Sequence, residues 1–122
     1  MSTSDNERNT VKRYTPSLSS ILFHPGQIAM NADCYHALRE VIEDEGEFQA
    51  VMRLLIGRHV TGNWGDVDEH DKGVNNAAVK SGARIISSYD VNGVTVWIIT
   101  EAAQTDDPKV RQVTTFLRPI DY

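Results

Sequence analysis

The 122-residue sequence predicts one α+β domain, in which about three helices pack on one face of a three- to four-stranded antiparallel sheet. Three observations predict this class. Apolar residues recur at helical spacing in three stretches of the first two thirds of the chain. Two runs rich in β-branched and aromatic residues follow, ARIISSYDV and VTVWIITE. These runs are joined by Asn92-Gly93, a strong signal for a two-residue hairpin turn.

Apolar spacing and capping residues define the first two predicted helices. Asn31 has the form of an N-cap, and helical spacing continues from there to about Glu45. Gly46 is expected to stop this helix, and a second helix is expected over residues 47–58. Each helix has an apolar stripe too narrow for burial on all sides, so both are expected to share one core.

The third predicted helix covers residues 67–80. Asp66, with Glu69 three positions later, has the form of a capping box in which Asp replaces the usual Ser or Thr. Gly82 has the position of a C-terminal cap. The residues expected to face inward are Val74, Ala77 and Ala78.

A two-residue turn at Asn92-Gly93 fixes the register of the hairpin. One face is expected to bury against the helices, with the pairs Val91–Val94, Tyr89–Val96, Ser87–Ile98 and Ile85–Thr100. The other face is expected to carry the pairs Ile86–Ile99, Ser88–Trp97, Asp90–Thr95 and Arg84–Glu101. The run VTTFLR is predicted as a third strand that ends at Pro119.

The N-terminal segment differs in composition from the rest of the chain. Residues 1–20 are rich in Ser, Thr, Asn and charged residues, which predicts a flexible tail. The ordered domain is expected over residues 21–122, and Pro25-Gly26 is expected to form a tight turn near its start.

Composition excludes several broad classes of protein. Hydrophobic residues make up 40% of the chain and charged residues 24%, as in ordinary globular domains. No apolar run approaches the length of a membrane-spanning helix, and the N-terminus lacks the apolar stretch of a secretory signal. The single cysteine, Cys34, cannot form an internal disulfide, so a cytoplasmic location is expected. A net charge of −5 argues against general nucleic-acid binding.

The negative charge is concentrated in the middle of the chain. Residues 33–71 contain ten acidic and three basic residues, which gives this segment a charge of −7. The ordinary interpretation is a set of solvated helix faces. The alternative is an acidic surface that meets a basic partner.

The second hairpin face is the first candidate site. Trp97 between Ile86 and Ile99, with Arg84 and Glu101 at the rim, has the composition of an interaction surface. The alternative is that a helix or the N-terminal tail covers this face, which would make Trp97 a core residue.

The loop after the second helix is the second candidate. His59, with Arg58 beside it and glycines after it, could act as a general base next to an anion-binding group. The alternative is structural: His59 caps the second helix and Trp64 fills the end of the core. Trp64, in the same loop, is also a candidate binding residue.

No metal or cofactor is predicted. Asp66, Asp68, His70 and Asp71 alternate along the chain, but they lack the glycine and the bidentate Glu of a calcium loop. The sequence has no phosphate-binding loop, dinucleotide fingerprint, nucleophile elbow or zinc-ligand spacing. Cys34 is interpreted as a small helix residue.

Three segments carry a resemblance to a known family. They resemble short bacterial proteins carried on plasmids and other mobile elements, which are commonly called plasmid-related proteins or mislabelled as a type I restriction modification subunit. The segments are RHVTGNWGDVDEHDKGVNNAAVKSGARIISSY, VWIITEA and VTTFLRPIDY. The likeness covers about residues 21–122. The chain departs from the family by a longer tail and by the insertion QTDDPKVRQ. The matching positions are His59, Gly62, Trp64, Gly65, Arg84, Ser87, Tyr89, Trp97, Thr100, Glu101, Thr114, Thr115, Pro119 and Tyr122. The resemblance implies an accessory function on a mobile element rather than a particular chemistry.

A weaker likeness, at the level of fold alone, is to the barnase/RelE-type ribonuclease toxins. By that analogy His59 would act as base, Arg84 would hold the phosphate, and Thr115 or Tyr89 would orient it. The net negative charge opposes this interpretation, because RNA-cleaving toxins need a basic groove.

Three hypotheses follow from the sequence. The favoured one is a non-enzymatic cytoplasmic accessory protein of a mobile element. It would bind a protein partner, of host defence or nucleic-acid processing, through Trp97, Ile86 and Ile99. The second is the small ribonuclease. The third is a homodimer that covers the Trp97 face with its twin.

Overall fold

A computed structural model describes residues 20–122, and the predicted flexible tail lies outside the described residues except for Ser20. The described chain is an α+β domain with three α-helices and a four-stranded sheet, as predicted. Among the described residues, no helix has the length and apolar character needed to cross a membrane. In chain order the elements are β1 (Gln27–Met30), α1 (Ala32–Val41), α2 (Glu45–Val60), α3 (Glu69–Ser81), β2 (Ile85–Val91), β3 (Val94–Thr100), β4 (Val113–Leu117) and a short 3-10 helix (Pro119–Asp121).

The sheet has the strand order β1-β4-β3-β2 and is mixed. Strands β2, β3 and β4 are antiparallel, but β1 pairs with β4 in parallel, with Ile28 opposite Thr114. The predicted antiparallel arrangement is therefore confirmed for β2, β3 and β4, and the edge strand β1 departs from it. A parallel pair needs a long connection, and here helices, loops and two other strands separate its members.

The hairpin has the predicted register. Ile85–Val91 pairs with Val94–Thr100 residue for residue, around a turn in which Asn92 and Gly93 both have positive φ (50° and 90°). Such a turn matches the right-handed twist of the flanking strands, so the local Asn-Gly signal was sufficient to fix the pairing. The face predicted to meet the helices is buried, apart from the half-buried Val94.

The boundary between the first two helices differs from the prediction. Helix α1 ends at Val41, and α2 begins at Glu45 rather than at residue 47, so Gly46 lies inside the first turn of α2. Asp44 caps α2 by accepting a hydrogen bond from the Glu47 amide at 2.8 Å. This cap and the acidic first turn stabilise the positive helix end, where a glycine costs little.

Helix α3 starts later than predicted. Asp68, not Asp66, is the N-cap, and its side chain accepts a hydrogen bond from the Asp71 amide at 2.8 Å. The inward face also differs from the predicted one: Val74 is 50% exposed and Ala77 is exposed, whereas Ala78 is buried, together with Asn75. Gly82 ends the helix in the left-handed conformation, as predicted.

The core consists of two adjoining clusters on the helical side of the sheet. The larger one packs α1 and α2 against strands β2, β3 and β4; it includes Leu38, Ile42, Phe48, Leu55, Tyr89, Ile98 and Phe116. The smaller one lies near the C-terminal end of α2 and the start of β2; it consists of Phe23, Val60, Trp64, Ala78 and Ile85. Trp64 is only 4% exposed, so the structure places it in the core, as in the structural alternative of the sequence analysis.

Arg111, in the loop before β4, is buried and connects this loop by hydrogen bonds to the end of α3 and to the end of β3. It is 3% exposed, and its guanidinium donates hydrogen bonds to the backbone carbonyls of Pro108, Ala83, Glu101 and Ala78, at 2.5, 2.8, 3.1 and 3.1 Å. A buried guanidinium needs many acceptors, and these four carbonyls supply them. The segment that departs from the resembled family therefore carries a structural side chain.

Candidate binding site

The candidate face lies on the side of the sheet opposite α1 and α2. Trp97 lies between Ser88 on β2 and Leu117 on β4 and is half-buried. Its ring contacts that of Tyr122, with centroids 5.5 Å apart and planes at 67°. Ile86 is half-buried, whereas its cross-strand neighbour Ile99 is only 3% exposed. Trp97 is thus only partly buried, with the Tyr122 ring against it.

The edge strand β2 is covered by side-chain and loop contacts rather than by another strand. The Asn75 side chain on α3 donates to the Ile86 carbonyl at 2.8 Å and accepts from the Ile86 amide at 3.1 Å. Before α3, the Ser88 amide donates to the Trp64 carbonyl at 3.1 Å, and the Asp66 amide donates to the Ser88 carbonyl at 2.7 Å. These four bonds protect the edge from pairing with another chain and hold α3 beside it.

Gly65 permits this close approach. Its φ is 77°, and a Cβ atom on it would lie 1.9 Å from the Ser88 carbonyl oxygen. Only a residue without a side chain allows the loop to run this close to the strand. As a result, the acidic segment that starts at Asp66 lies beside the apolar face of the hairpin.

A cavity of about 520 Å³ lies between the sheet and the start of α3, and we call it the Trp97 cavity. It falls within the usual volume range of ligand-binding pockets. Its lining combines aromatic, aliphatic and acidic side chains: Asp66, Val67, Asp68, Asp71, Val74, Asn75, Arg84, Ile86, Ser88, Trp97 and Tyr122.

The charges around this cavity are unbalanced. Arg84 lies at one end, where its Nε pairs with Glu101 at 3.1 Å and its Nη1 donates to the Tyr122 hydroxyl at 2.6 Å. The carboxylates of Asp66, Asp68 and Asp71 line the cavity, and none forms an ion pair with a basic residue in the described part of the chain. The cavity therefore has an excess of negative charge.

Known proteins give no family for this chain. No protein-family model, curated protein or solved structure matches it. The resemblance to plasmid-borne proteins stays a prediction.

The predicted binding residues divide into three groups. Trp97, Ile86 and Arg84 line the cavity, and Glu101 holds Arg84 in place. Ile99 is buried in the sheet, and Trp64 belongs to the core, where its Nε1 donates to the Asn76 side chain at 3.0 Å. The structure therefore brings four of the six predicted residues together.

Sequence reasoning did not connect the acidic residues to this face. Asp66, Asp68 and Asp71 were visible as a charged run, and Trp97 was visible as a surface candidate. The contact between Gly65 and β2 that joins them is non-local. The only local signal was the glycine itself, which marks a close approach without naming the strand approached.

His59 is the centre of a buried hydrogen-bond chain. Its Nδ1 lies 2.5 Å from the Ser87 hydroxyl and its Nε2 lies 2.8 Å from the Thr100 hydroxyl. Thr100 is 2.7 Å from the Thr114 hydroxyl, which donates to the Pro25 carbonyl at 2.8 Å. Because Thr114 gives its proton to a carbonyl, it accepts from Thr100, which in turn accepts from His59 Nε2–H. The ring is thus assigned as the Nε2–H tautomer, and Nδ1 accepts from Ser87.

This environment keeps His59 neutral. Burial, together with the positive charge of Arg111, lowers the pKa of His59 from 6.5 to about 3. Both ring nitrogens are engaged, and the residue is fully buried. The arrangement is that of a structural histidine that joins α2 to the sheet, and the proposed cap of the second helix is not its role.

The alternative catalytic set is not assembled in one place. His59 and Tyr89 lie on the helical side of the sheet, whereas Arg84 and Thr115 lie on the other side, because residues alternate between faces along a strand. Tyr89 is buried, its hydroxyl donates to the Asn63 carbonyl at 2.6 Å, and burial raises its pKa to about 12.

Other candidate groups are also part of the packing or lie apart. Cys34 is buried, and burial raises its pKa to about 11, which disfavours the reactive thiolate. Within residues 20–122, no three His, Cys, Asp or Glu side chains lie close enough together to hold a metal ion.

A second cavity, of about 450 Å³, lies between β1 and α2. Its lining is mostly apolar and includes Ile28, which is 46% exposed, with Met52, Ile56 and Phe116. No Asp or Glu lines this second cavity, so it serves as a comparison site for the acidic Trp97 cavity.

Proposed function

We propose that this protein is a non-enzymatic binding protein that recognises another protein through the Trp97 cavity. The observation that carries the proposal is a half-buried tryptophan in a cavity of about 520 Å³ with an unbalanced acidic lining. Tryptophan is among the residues that contribute most to protein–protein binding when a partner covers it. In line with the family resemblance, we place this role in the cytoplasm, as an accessory function of a mobile element.

The distribution of groups supports binding rather than catalysis. The polar residues on the helical side, His59 with Ser87, Thr100 and Thr114, satisfy one another inside the core. The partly accessible aromatic and charged groups are on the other side. Acidic groups around an apolar centre favour a partner with basic residues around an apolar one, because opposite potentials steer encounter and fix orientation.

The test compares two charge insertions of the same kind. Trp97→Glu places a carboxylate in the Trp97 cavity, and Ile28→Glu places one in the cavity beside β1. The tagged wild-type protein is used to capture a partner from bacterial lysate, and the purified partner is then titrated against all three proteins. Loss of an anchor residue costs about 2 kcal/mol or more, so Trp97→Glu is expected to weaken binding at least about 30-fold. Ile28→Glu is expected to change it less than about 3-fold.

Three results would overturn the proposal. A partner that binds the Trp97→Glu protein as tightly as wild type would remove the cavity from the interface. A doubled mass of the wild type by light scattering, reduced to that of a monomer in Trp97→Glu, would replace an external partner with self-association. Cleavage of RNA by the wild type, absent in a stable His59 variant, would favour the ribonuclease instead.

A further inference from the structure

We propose that the group recognised by the Trp97 cavity is the guanidinium of an arginine side chain on the partner. This inference rests on the proposed function and adds the chemistry of the ligand. Three features support it: the aromatic walls of the cavity, the excess of carboxylates, and the position of the protein's own arginine.

The aromatic walls suit a planar cation. Trp97 and Tyr122 both line the cavity, with ring planes at 67° and centroids 5.5 Å apart. A cation over an aromatic face is attracted by the ring electrons, and tryptophan is the most favourable ring. A guanidinium also stacks on such a face through its own plane, which an ammonium cannot do.

The carboxylates supply the hydrogen-bond acceptors. Asp66, Asp68 and Asp71 are exposed residues that line the same cavity. The nearby Lys72 pairs with Glu69 at 3.1 Å and so does not balance them. An anionic ligand would meet three like charges, whereas a guanidinium can donate two parallel hydrogen bonds to one carboxylate. The charge pattern therefore selects a cation with several donors.

Arg84 shows which end of the cavity is open to a further cation. Its guanidinium already bridges Glu101 and the Tyr122 hydroxyl, so the charge at that end is balanced. The excess negative charge lies at the α3 end, near Asp68 and Asp71. A partner's arginine would therefore insert between this end and the Trp97 ring.

The test uses the full-length protein and three short peptides. Acetylated and amidated Gly-Gly-Arg-Gly-Gly is the probe, with the same peptide carrying citrulline or lysine as comparison. Citrulline keeps the shape of arginine without its charge. Binding is followed by NMR through the indole N–H of Trp97, which a Trp97→Phe spectrum distinguishes from that of the buried Trp64. We expect a saturable shift with arginine, at least 10-fold weaker binding of citrulline, and weaker binding of lysine.

Matched variants locate the site. Asp68→Asn/Asp71→Asn removes two carboxylates and leaves an asparagine that caps α3 as well as aspartate does. We expect at least 10-fold weaker arginine binding in this variant. Asp106→Asn/Asp107→Asn removes two exposed carboxylates that do not line the cavity and should leave binding unchanged.

Each contrary outcome has a definite meaning. Equal binding of citrulline and arginine, or arginine binding that is insensitive to Asp68→Asn/Asp71→Asn, would overturn the assignment of a guanidinium to this cavity. If the arginine peptide causes no shift but Trp97→Glu still releases the captured partner, the ligand assignment fails and the binding role stands. If the partner also survives Trp97→Glu, the proposed function fails as well.

Discussion

Acidification from pH 7 to pH 5 is expected to destabilise the fold by about 2 kcal/mol through His59 alone. The pKa of this side chain is about 3 in the folded protein against its ordinary value of 6.5. Between these two values the unfolded chain binds a proton that the folded chain does not, so the free energy of unfolding falls as the pH falls. At pH 5 the unfolded histidine is favoured by protonation by a factor of about 30, which corresponds to about 2 kcal/mol. The stabilisation is fully present above pH 6.5.

The structural reason is that a second ring proton would charge a buried ring whose two nitrogens already have hydrogen-bond partners. Nε2–H is already donated to Thr100, and Nδ1 accepts from the Ser87 hydroxyl. A proton on Nδ1 would reverse that bond, so that the Ser87 hydroxyl proton loses Nδ1 as its acceptor, and it would place a positive charge in a buried site that Arg111 already makes positive. Both effects act against protonation, in addition to the loss of hydration on burial.

Urea unfolding at pH 7, 6 and 5 measures this effect. His59→Gln has an amide that can still donate to Thr100 but cannot titrate, so we expect lower stability at pH 7 and a pH dependence smaller by about 2 kcal/mol. His24→Gln, at an exposed position, should keep the wild-type dependence. A wild-type change below about 0.5 kcal/mol between pH 7 and 5, or an equal slope in His59→Gln, would refute the reasoning.

Two further predictions concern residues that hold the site's framework, and both are measured by urea unfolding. Arg111→Met removes the guanidinium donor from four backbone carbonyls, of which Ala78 keeps the Gly82 amide, and should cost about 3 kcal/mol. Arg53→Met, at an exposed position, should cost less than about 0.5 kcal/mol. Similar losses in the two variants would contradict the structural role of Arg111. Gly65→Ala should destabilise the fold by about 3 kcal/mol or more, because the added Cβ would overlap the Ser88 carbonyl. The control, Gly73→Ala, lies in open space within α3 and should stabilise the fold by up to about 1 kcal/mol. A tolerated Gly65→Ala would show that the loop can move away from the strand.

The parts of the fold that the sequence could predict are those governed by local chemistry. Asn92-Gly93 determines a turn, the turn determines a register, and the register determines which side chains share a face. The three helices were also predictable from apolar spacing. Their boundaries were not, because neighbouring acidic residues such as Asp66 and Asp68 compete for the cap and only packing decides between them.

The parts that could not be predicted depend on contacts between distant segments. The parallel pairing of β1 with β4 brings together residues more than 80 positions apart. The four acceptors of Arg111 come from three separate segments, so its charge gave no sign of a buried role. The buried role of His59 was hidden for the same reason, because its two hydroxyl partners, Ser87 and Thr100, follow it by 28 and 41 residues.

The attachment of α3 to β2 bears directly on how the Trp97 cavity would bind. The Asn75 side chain and the Gly65 loop hold the helix at two separate points along the strand, so the acidic wall is fixed before any ligand arrives. A partner that displaced α3 would expose the Ile86 and Ser88 backbone groups that these contacts satisfy. Binding should therefore occur at the cavity as it stands. Because a preformed site avoids the entropic cost of ordering a wall, a cavity of about 520 Å³ can support specific recognition.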